Sequence, residues 1–367
     1  MKVLHIAETI KGGVGTVLDD LVFYQYNSDK NINVLCLIPD EHCNVLEKNK
    51  ISKVETFQRN GRSIKSLFNL YRKSKSLIEK EKPDIIHCHS TFAGFIIRFF
   101  FNRGKYNFKT VYSPHAFSFV MKKNKLSKVI FSFVERYLSK KTDKIICVSK
   151  YEYGEAVKNN IPPSLLTVIH NGVDPEKNGK FKVLGSGRRI NILFVGRFDY
   201  QKGVDTLFEA IKLLSEEDKL KYNFNIVGES VEGEFNKNLI SNEIERYVKF
   251  HGWLSKKDIA YQYALADCIV IPSRWEGFAM VPLEAMGHGT PVIASNIPPF
   301  LELIENGKYG IIFECDNPIS LHNALKEIDL KRLTSIREEA YRNLIDTYTS
   351  VKMNVSTINI YEVIMGE

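Results

Sequence analysis

Short apolar runs alternate with longer amphipathic stretches along the first half of this chain. Residues 3–7 form a mostly apolar run that predicts a buried strand, and residues 16–26 have the spacing of a helix that follows it. The alternation continues to residue 148, with strands predicted at 34–38, 84–88, 110–113 and 144–148 and helices at 63–80, 91–101 and 128–138. Strands that alternate with such helices predict βαβ units around a parallel sheet.

A polar stretch over residues 174–189 interrupts this pattern and has the composition of a linker. The alternation then restarts, with strands predicted at 190–195, 223–227, 248–251, 268–272, 291–294 and 311–313 and helices at 204–214, 256–266 and 282–288. The pattern therefore predicts an α/β protein of two Rossmann-like domains, residues 1–178 and 186–350. The last residues, 351–367, contain one more amphipathic helix whose place the pattern leaves open.

Composition agrees with a two-domain globular protein and excludes several other classes. Of the 367 residues, 44% are hydrophobic and 26% are charged, which argues against a disordered or fibrous chain. The strongly apolar stretch 92–101 is interrupted by Arg98 and falls short of the ~20 residues of a membrane-spanning helix. The opening residues predict a strand and no secretory signal. The six cysteines lie far apart without a C-x-x-C pair, as in a reducing cytoplasm, so we predict a cytoplasmic protein.

The charge of the chain is unevenly distributed. Residues 1–180 carry 30 Lys and Arg against 17 Asp and Glu, a net of +13, whereas residues 181–367 have a net of −5. A basic half predicts an anionic partner, for which nucleic acid and anionic lipid are both candidates. The alternative is that the lysines only cover solvated faces.

Two loops at strand ends have the composition of phosphate-binding loops. Gly12-Gly13-Val14-Gly15 follows the first strand, but Leu18 stands where a dinucleotide fingerprint needs its last glycine, which argues against a dehydrogenase. Arg197 and Lys202 follow the strand 190–195, where a guanidinium and an ammonium group can clamp a diphosphate. The alternatives are that the glycine loop is only a tight turn, and that Arg197 and Lys202 are only solvated cations on a loop.

A pair of carboxylates gives the most specific signal in the sequence. Glu276 follows the strand 268–272, and Glu284 is expected in the first turn of the next helix. Carboxylates placed in this way can accept hydrogen bonds from sugar-ring and ribose hydroxyls. Gly277 permits close backbone approach, and Pro282 is well placed near a helix start. The alternative is that Glu284 only complements the helix dipole.

These two glutamates reproduce the E-x7-E signature of retaining, nucleotide-sugar-dependent glycosyltransferases of family four, which have the GT-B fold. Nearly the whole chain resembles this family, because other landmarks follow in the family's order. They are Gly-Gly-Val-Gly at 12–15, Pro-Asp-Ile-Ile-His-Cys-His at 83–89, Ser-Pro-His at 113–115, His-Asn-Gly-Val-Asp at 170–174, Gly-Arg-x4-Lys-Gly at 196–203, Phe-His-Gly-Trp at 250–253 and Gly-Thr-Pro-Val-Ile-Ala-Ser at 289–295.

The resemblance implies roles for individual residues. Arg197 and Lys202 would hold the donor diphosphate and neutralise the leaving nucleotide. Glu276 would contact hydroxyls of the transferred sugar, Glu284 the ribose, and His115 the reactive face of the sugar. The remaining residues implied on the donor side are Gly13, Gly15, Gly196, Gly228, Phe278, Ala279, Met280 and Val281, and those on the acceptor side are His89 and Asn171.

His87-Cys88-His89 also resembles part of a metal site. The two imidazoles point to one face of a strand, but zinc needs a third and a fourth ligand, and the sequence offers none nearby. Because Arg and Lys supply the charge in this fold, we predict that no metal or other cofactor is required.

The resemblance implies that the two domains face each other across a cleft, with the donor in the C-terminal domain, the acceptor in the N-terminal domain and the last helix packed back on the latter. No carboxylate of the first half lies in a recognisable nucleophile motif, which favours a front-face mechanism over double displacement. A UDP-sugar, such as a UDP-N-acetylhexosamine, is the expected donor, although GDP and ADP stay open. Two alternatives are a GT-B epimerase or hydrolase and a non-catalytic partner subunit, which would be expected to lack Glu276, Lys202 or His115.

Aromatic residues and cations mix at two places in the basic half. One is residues 95–105, and in the other Lys122, Lys123, Lys125 and Lys128 precede an apolar helix. We expect this domain to rest on the anionic cytosolic face of a membrane, where each basic residue adds ~1 kcal/mol. The acceptor would then be a lipid-linked sugar or saccharide in capsular or cell-envelope polysaccharide assembly. Nucleic acid is not expected as a partner, because no DNA- or RNA-reading motif appears.

Overall fold

The computed structural model describes residues 1–46, 53–61, 63–101, 105–121, 124–175, 189–230 and 242–366. The chain forms two compact units. The N-terminal unit comprises Met1–Gly172 together with Ser350–Glu367, and the C-terminal unit is Val173–Thr349. Most of the expected linker, and the expected basic residues Lys122 and Lys123, lie outside the described residues.

The N-terminal unit is a parallel sheet with helices between successive strands. Its described elements are β1 (Lys2–Ala7), α1 (Gly13–Tyr26), β2 (Asn33–Pro39), β3 (Lys53–Phe57), α2 (Ile64–Glu81), β4 (Ile85–His89), α3 (Thr91–Phe100), β5 (Lys109–Ser113), α4 (Lys125–Ser139), β6 (Lys144–Cys147), α5 (Lys150–Lys158), β7 (Leu166–Val168) and α14 (Ser350–Met365). The strand order is β3-β2-β1-β4-β5-β6-β7, with parallel pairing throughout. The inner strands are buried along their length, because helices cover both faces of such a sheet.

The C-terminal unit repeats the same architecture. Its described elements are β8 (Ile190–Val195), α6 (Val204–Leu213), α7 (Glu216–Lys219), β9 (Tyr222–Val227), α8 (Asn242–Tyr247), β10 (Val248–Phe250), α9 (Lys256–Leu265), β11 (Cys268–Ile271), α10 (Met280–Gly287), β12 (Val292–Ser295), α11 (Pro298–Leu303), β13 (Gly310–Phe313), α12 (Pro318–Lys326) and α13 (Leu330–Thr347). The parallel strands run in the order β10-β9-β8-β11-β12-β13. Two Rossmann-like parallel sheets, one in each unit, confirm the predicted fold class.

The last helix belongs to the N-terminal unit, as the family resemblance implied. Helix α14 packs against α1, and its Tyr361 is fully buried. The Tyr361 hydroxyl accepts a hydrogen bond from Gln25 Nε2 at 3.3 Å and lies 2.6 Å from Nδ1 of His87. Residues from the two ends of the chain therefore share one buried polar cluster.

Several elements begin elsewhere than the sequence predicted. Helix α1 begins at Gly13, so the glycine loop forms its first turn rather than preceding it, and Gly12 is its N-cap with φ 72°. Helix α4 begins at Lys125, because the Asn124 side chain caps it by accepting a hydrogen bond from the Ser127 N–H. The sequence analysis missed β3, β7, α5, α7, α8, α11, α12 and α13. None of the helices in the described part of the chain is long and apolar enough to cross a membrane.

Candidate active site

The loop between β8 and α6 carries both expected cations of the C-terminal unit. Asp199 organises this loop, because its Oδ1 accepts a hydrogen bond from the Lys202 backbone N–H at 2.8 Å and its Oδ2 lies 2.8 Å from Nη2 of Arg197. The Arg197 side chain is 47% exposed. Asp199 and Gln201 both contact Nη2, and the guanidinium has further N–H donors on Nε and Nη1 with which it can bind a ligand. The sequence analysis missed Asp199, whose signal is a short carboxylate three residues before the lysine.

Lys202 and Glu276 meet although 74 residues separate them. Lys202 Nζ lies 2.6 Å from Glu276 Oε1, and the two side chains are 19% and 9% exposed. Gln201 adds a weaker contact, with its Nε2 3.4 Å from Glu276 Oε2. The Lys202 ammonium group has three N–H donors and donates one of them to Glu276 in this pair, so it can also bind a phosphate oxygen. This ion pair joins the loops that follow β8 and β11.

Arg274 holds the Glu276 loop in place. Its Nη1 and Nη2 donate to the two carboxylate oxygens of Asp205 at 2.9 and 2.6 Å, and its Nε donates to Asp316 Oδ1 at 2.7 Å. The guanidinium also lies over the Tyr200 ring, 4.1 Å from the ring centroid. These two carboxylates hold the pKa of Arg274 above its ordinary value despite burial. Arg274 is therefore a structural anchor and is not available to bind a phosphate.

Helix α10 presents its N-terminus next to Glu276. Ala279 is the N-cap and makes no side-chain cap hydrogen bond, so the first N–H groups of the helix are suited to bind an anion. Phe278 and Met280 are buried and fix the backbone of this turn. Of the backbone positions expected on the donor side, those at 278–281 thus lie together at one helix end.

The position of Glu284 differs from the prediction. Helix α10 begins at Met280, so Glu284 is its fifth residue and lies in the second turn, where a favourable effect of the helix dipole is small. Its Oε2 accepts a hydrogen bond from the Tyr263 hydroxyl at 2.9 Å. The dipole therefore explains Glu284 poorly, and its proposed contact with a ribose stays a prediction.

Three of the expected glycines have different structural requirements. A Cβ on Gly228, where φ is +130°, would lie 1.9 Å from the Gly196 carbonyl oxygen, so these two loops touch backbone to backbone. A Cβ on Gly15 would lie 2.2 Å from the Ile10 carbonyl oxygen. Packing alone therefore requires glycine at these positions. Gly13, by contrast, is exposed.

In the N-terminal unit, His115 lies on a strained turn after β5. Its φ is 53° and that of Ala116 is 102°, both in the left-handed region that costs ~1–3 kcal/mol for such residues. The buried Glu152 holds the turn, because its Oε1 accepts hydrogen bonds from the N–H groups of Ala116 and Phe117 at 2.9 and 3.0 Å. Burial raises the pKa of Glu152 to about 7. The sequence analysis missed Glu152.

His89 is buried beneath His115 rather than open to a ligand. It is 1% exposed, its Nδ1 lies 3.1 Å from His115 Nε2, and its Nε2 lies 3.0 Å from His5 Nδ1. With both ring nitrogens engaged, His89 is not positioned to touch an acceptor directly, which corrects the expectation from the sequence. Asn171, the other residue expected on the acceptor side, is buried close to the end of this unit.

A third imidazole, which the sequence analysis missed, joins His87 and His89. Strands β1 and β4 pair with His5 opposite His87, and ligand atoms of the three histidines lie within 4.8 Å of one another. Such a group could hold a metal ion. Both ring nitrogens of each of these imidazoles are already within hydrogen-bond distance of a protein partner. The expectation that no metal is required stays a prediction.

Helix α4 carries an exposed apolar stripe, which we call the α4 stripe. Its members are Leu126, Val129, Ile130, Phe133 and Tyr137, spaced so that they lie on one helix face, and they are between 46% and 71% exposed. Lys141 extends this surface toward α3, because its Nζ lies 5.2 Å from the Tyr137 ring centroid and 5.6 Å from that of Phe99. The exposed cations Lys125 and Arg136 border the stripe.

Solved structures show the class of protein that this fold defines. HepE of Anabaena, crystallised in complex with UDP, matches with a TM-score of 0.80 over 99% of this chain and 100% of its own, at 21% identity. Sucrose-phosphate synthase of Thermosynechococcus elongatus matches with a TM-score of 0.81 over 100% of both chains, at 17% identity. The chain has the GT-B fold of glycosyltransferases.

Sequence comparison shows the family. The model of Glycosyltransferase Family 4 matches residues 11–177, and that of Glycosyl transferases group 1 matches residues 176–345. A 41.2 kDa protein of the cps region of Klebsiella pneumoniae is 39% identical over 87% of this chain and 88% of its own. The UDP-Gal:alpha-D-GlcNAc-diphosphoundecaprenol alpha-1,3-galactosyltransferase of Escherichia coli is 31% identical over 77% of this chain and 75% of its own. This chain belongs to glycosyltransferase family 4.

Proposed function

We propose that this glycosyltransferase moves a sugar, with retention at the anomeric carbon, from a UDP-sugar to a hydroxyl of a lipid-linked sugar. The observation that carries the proposal is the Lys202–Glu276 ion pair beside the uncapped N-terminus of α10. The Lys202 ammonium group can bind the diphosphate, and the Glu276 carboxylate can bind the sugar hydroxyls. In this assignment Arg197 and Lys202 bind the diphosphate, Glu276 the transferred sugar, Glu284 the ribose, and the backbone at Gly196, Gly228 and 278–281 lies against the donor.

A front-face reaction accounts for these residues without a nucleophilic side chain. The bond between the anomeric carbon and the leaving diphosphate oxygen breaks as the acceptor oxygen attacks on the same face. The acceptor proton passes to a diphosphate oxygen. Arg197, Lys202 and the N–H groups of α10 stabilise the negative charge that develops on the leaving group. Glu276 is less suited to act as a nucleophile, since its carboxylate is already paired with Lys202.

Binding of the donor nucleotide can be tested without knowing the sugar. UDP at 100 times its Kd should add ~2.7 kcal/mol to the stability of the protein, which a thermal-shift assay detects. We expect UDP to act in this way, and Lys202→Met to abolish the shift. A thermal shift with GDP or ADP and none with UDP would show that the donor is not a UDP-sugar. No shift with any nucleotide diphosphate would contradict the proposed function.

The transfer itself is tested with UDP-sugars, UDP-N-acetylhexosamines among them, and an undecaprenol-diphosphate-linked sugar. We expect an elongated lipid-linked product with the anomeric configuration of the donor. An isomerised sugar, or a free sugar formed without acceptor, would support the epimerase or hydrolase alternative instead. A glycosyl-enzyme trapped in Glu276→Cys or Glu276→Ser would overturn the front-face mechanism.

We also propose that the N-terminal unit docks on the anionic cytosolic face of a membrane through the α4 stripe. Exposed aromatic and aliphatic side chains bordered by cations match a bilayer interface with anionic headgroups. A lipid-linked acceptor requires the enzyme to work at such a surface. The E. coli relative, which is named for a diphosphoundecaprenol-linked acceptor, supports this choice. A role in capsular or cell-envelope polysaccharide assembly follows from the same proposal.

Sedimentation with liposomes tests this docking. We expect binding to vesicles that contain anionic lipid, a decrease with salt, and a loss in Val129→Ser/Phe133→Ser and in Lys125→Glu/Lys128→Glu. Val363→Ser is a matched control, since Val363 is 71% exposed on α14 of the same unit. Lys257→Glu/Lys331→Glu, in the C-terminal unit, controls for the change in net charge. Equal binding to neutral vesicles, or no binding at low salt, would favour a soluble saccharide acceptor.

A further inference from the structure

Four histidines of the N-terminal unit belong to one continuous chain of buried hydrogen bonds. Three of them form an arm that ends at Gln25, whose Oε1 lies 2.9 Å from His5 Nε2. A second arm starts from the same amide, because Gln25 Nε2 donates to the Tyr361 hydroxyl, which lies 2.6 Å from His87 Nδ1. In the order in which the hydrogen bonds connect them, the members are His115, His89, His5, Gln25, Tyr361, His87 and Ser113.

The Gln25 amide sets the position of every proton in the first arm. Its Oε1 can only accept, so His5 must carry its proton on Nε2 and accept on Nδ1. His89 must then donate from Nε2 and accept on Nδ1. His115 must therefore donate from Nε2, which leaves a lone pair on its Nδ1.

The second arm fits the same amide orientation. Tyr361 accepts from Gln25 Nε2 and so donates its own proton to His87 Nδ1. His87 then donates from Nε2 to Ser113 Oγ, 2.8 Å away. All four imidazoles are neutral in this arrangement, and each carries its proton on Nε2. The reversed order would require the Gln25 amide to turn over.

We propose that Gln25, His5 and His89 are positioning residues that fix His115 in the Nε2–H tautomer, so that its Nδ1 accepts a hydrogen bond from a substrate hydroxyl. The contact with the substrate rests on the proposed function, whereas the tautomer is a property of the free protein. The Glu152 carboxylate holds the backbone of the same turn, so His115 is constrained at both its ring and its main chain. An imidazole fixed in this way presents a lone pair without any reorientation at the moment of binding.

Burial favours the neutral form of the three imidazoles in the first arm. It lowers the pKa of both His5 and His115 to about 4, and it lowers the pKa of His89 as well. The carboxylate of Glu152 faces the neighbouring N–H groups of Ala116 and Phe117. The hydrogen-bond partners of the three rings in the described network are imidazoles and an amide, so a neutral lone pair on His115 persists at neutral pH.

Nitrogen NMR of protein labelled with 15N-histidine tests the tautomer on the full chain without substrate, because protonated and lone-pair ring nitrogens have distinct shifts. We expect a protonated Nε2 and a bare Nδ1 at His115, with its signals assigned by their loss in His115→Asn. In Gln25→Met, His5 loses its acceptor, so the arm should invert and His115 should become the Nδ1–H form, a change in tautomer ratio of about tenfold or more. Gln25→Glu keeps the acceptor and should retain the original tautomer.

Ser113→Ala is the matched control, since it removes one hydrogen bond from the far end of the same chain and should leave the His115 tautomer unchanged. A protonated Nδ1 at His115 in the unaltered protein would overturn the inference, and so would an unchanged tautomer in folded Gln25→Met. Stoichiometric zinc in the purified protein, lost in His5→Asn, would also overturn it, because a metal would take the place of these hydrogen bonds.

Activity separates this inference from the proposed function. In Gln25→Met we expect kcat to fall about tenfold while the Kd for UDP, which rests on the C-terminal unit, stays the same. Glycosyl transfer by the unaltered protein with the His115 proton on Nδ1, or an unchanged kcat in Gln25→Met after its His115 has become the Nδ1–H form, would refute the inference alone. The expected tautomers in a protein that transfers no sugar would refute the proposed function and the substrate contact, and would leave the proton order established.

Discussion

Replacing Lys202 with methionine should damage both stability and turnover, for two separable reasons. The pair that it forms with Glu276 is short, 2.6 Å, and mostly shielded from water. Methionine keeps the apolar stem of lysine but leaves the carboxylate of a side chain that is only 9% exposed, with the weak contact from Gln201 beside it. Removal of one partner from a buried ion pair costs about 3–5 kcal/mol, because the remaining charge stays buried without its partner.

We expect a loss of about 3 kcal/mol in the free energy of unfolding, the lower end of that range, because Lys202 keeps some contact with water. Neutralising the partner should restore part of this loss, so the double variant Lys202→Met/Glu276→Gln should be more stable than the two single losses added together predict. The coupling should lie within the ~0.5–3 kcal/mol found for contacting residues. Turnover should fall by ~10²–10³ in Lys202→Met and should not recover in the double variant, because the ammonium group is still absent.

Urea unfolding of Lys202→Met, Glu276→Gln and the double variant without nucleotide measures the stability, and kcat on one UDP-sugar measures the turnover. Lys212→Met is the matched control, since Lys212 pairs with Glu209 at 2.8 Å on the surface, where the side chains are 28% and 45% exposed. Its loss should not exceed ~1 kcal/mol. Equal losses in Lys202→Met and Lys212→Met, or strictly additive losses in the double variant, would refute the buried pair. Near-native turnover in Lys202→Met would remove its role at the diphosphate.

Three further predictions follow from the same structure. Arg197→Ala should lower kcat by ~10²–10³ and change stability by no more than ~0.5 kcal/mol, because Arg197 is half exposed; a large loss of stability in a melting curve would contradict this. Tyr361→Phe should cost ~1–3 kcal/mol in urea unfolding, because it leaves polar atoms of His87 and Gln25 without their partner; an unchanged midpoint would exclude the buried hydrogen bonds. Since the folded pKa of His5 is about 4 against an ordinary 6.5, stability should fall by ~1.4 kcal/mol per pH unit for this group as pH drops below about 6.5, and His5→Asn should flatten the slope.

The periodicity of the chain was sufficient to predict an α/β protein with two parallel sheets, although it missed the strands β3 and β7. Apolar runs at strand length and apolar stripes at helix spacing depend on neighbours a few residues apart, so they can be read locally. The spacing of Glu276 and Glu284, together with the other landmarks in the family's order, indicated the family from the sequence. The helix start at Met280 was harder, because an Ala279 cap carries no side-chain signal, and this moved Glu284 from the first turn to the second.

Tertiary structure alone decided which side chains meet. Lys202 and Glu276 are 74 positions apart and Gln25 and Tyr361 are 336 apart, and no pattern in the sequence pairs them, since the contacts arise from strand order and from the return of the last helix. His5 reads locally as an interruption of an apolar strand, and only the pairing of β1 with β4 makes it a neighbour of the other imidazoles. A buried polar atom must find its partner across the fold, so its chemistry is fixed by packing and not by its neighbours in sequence.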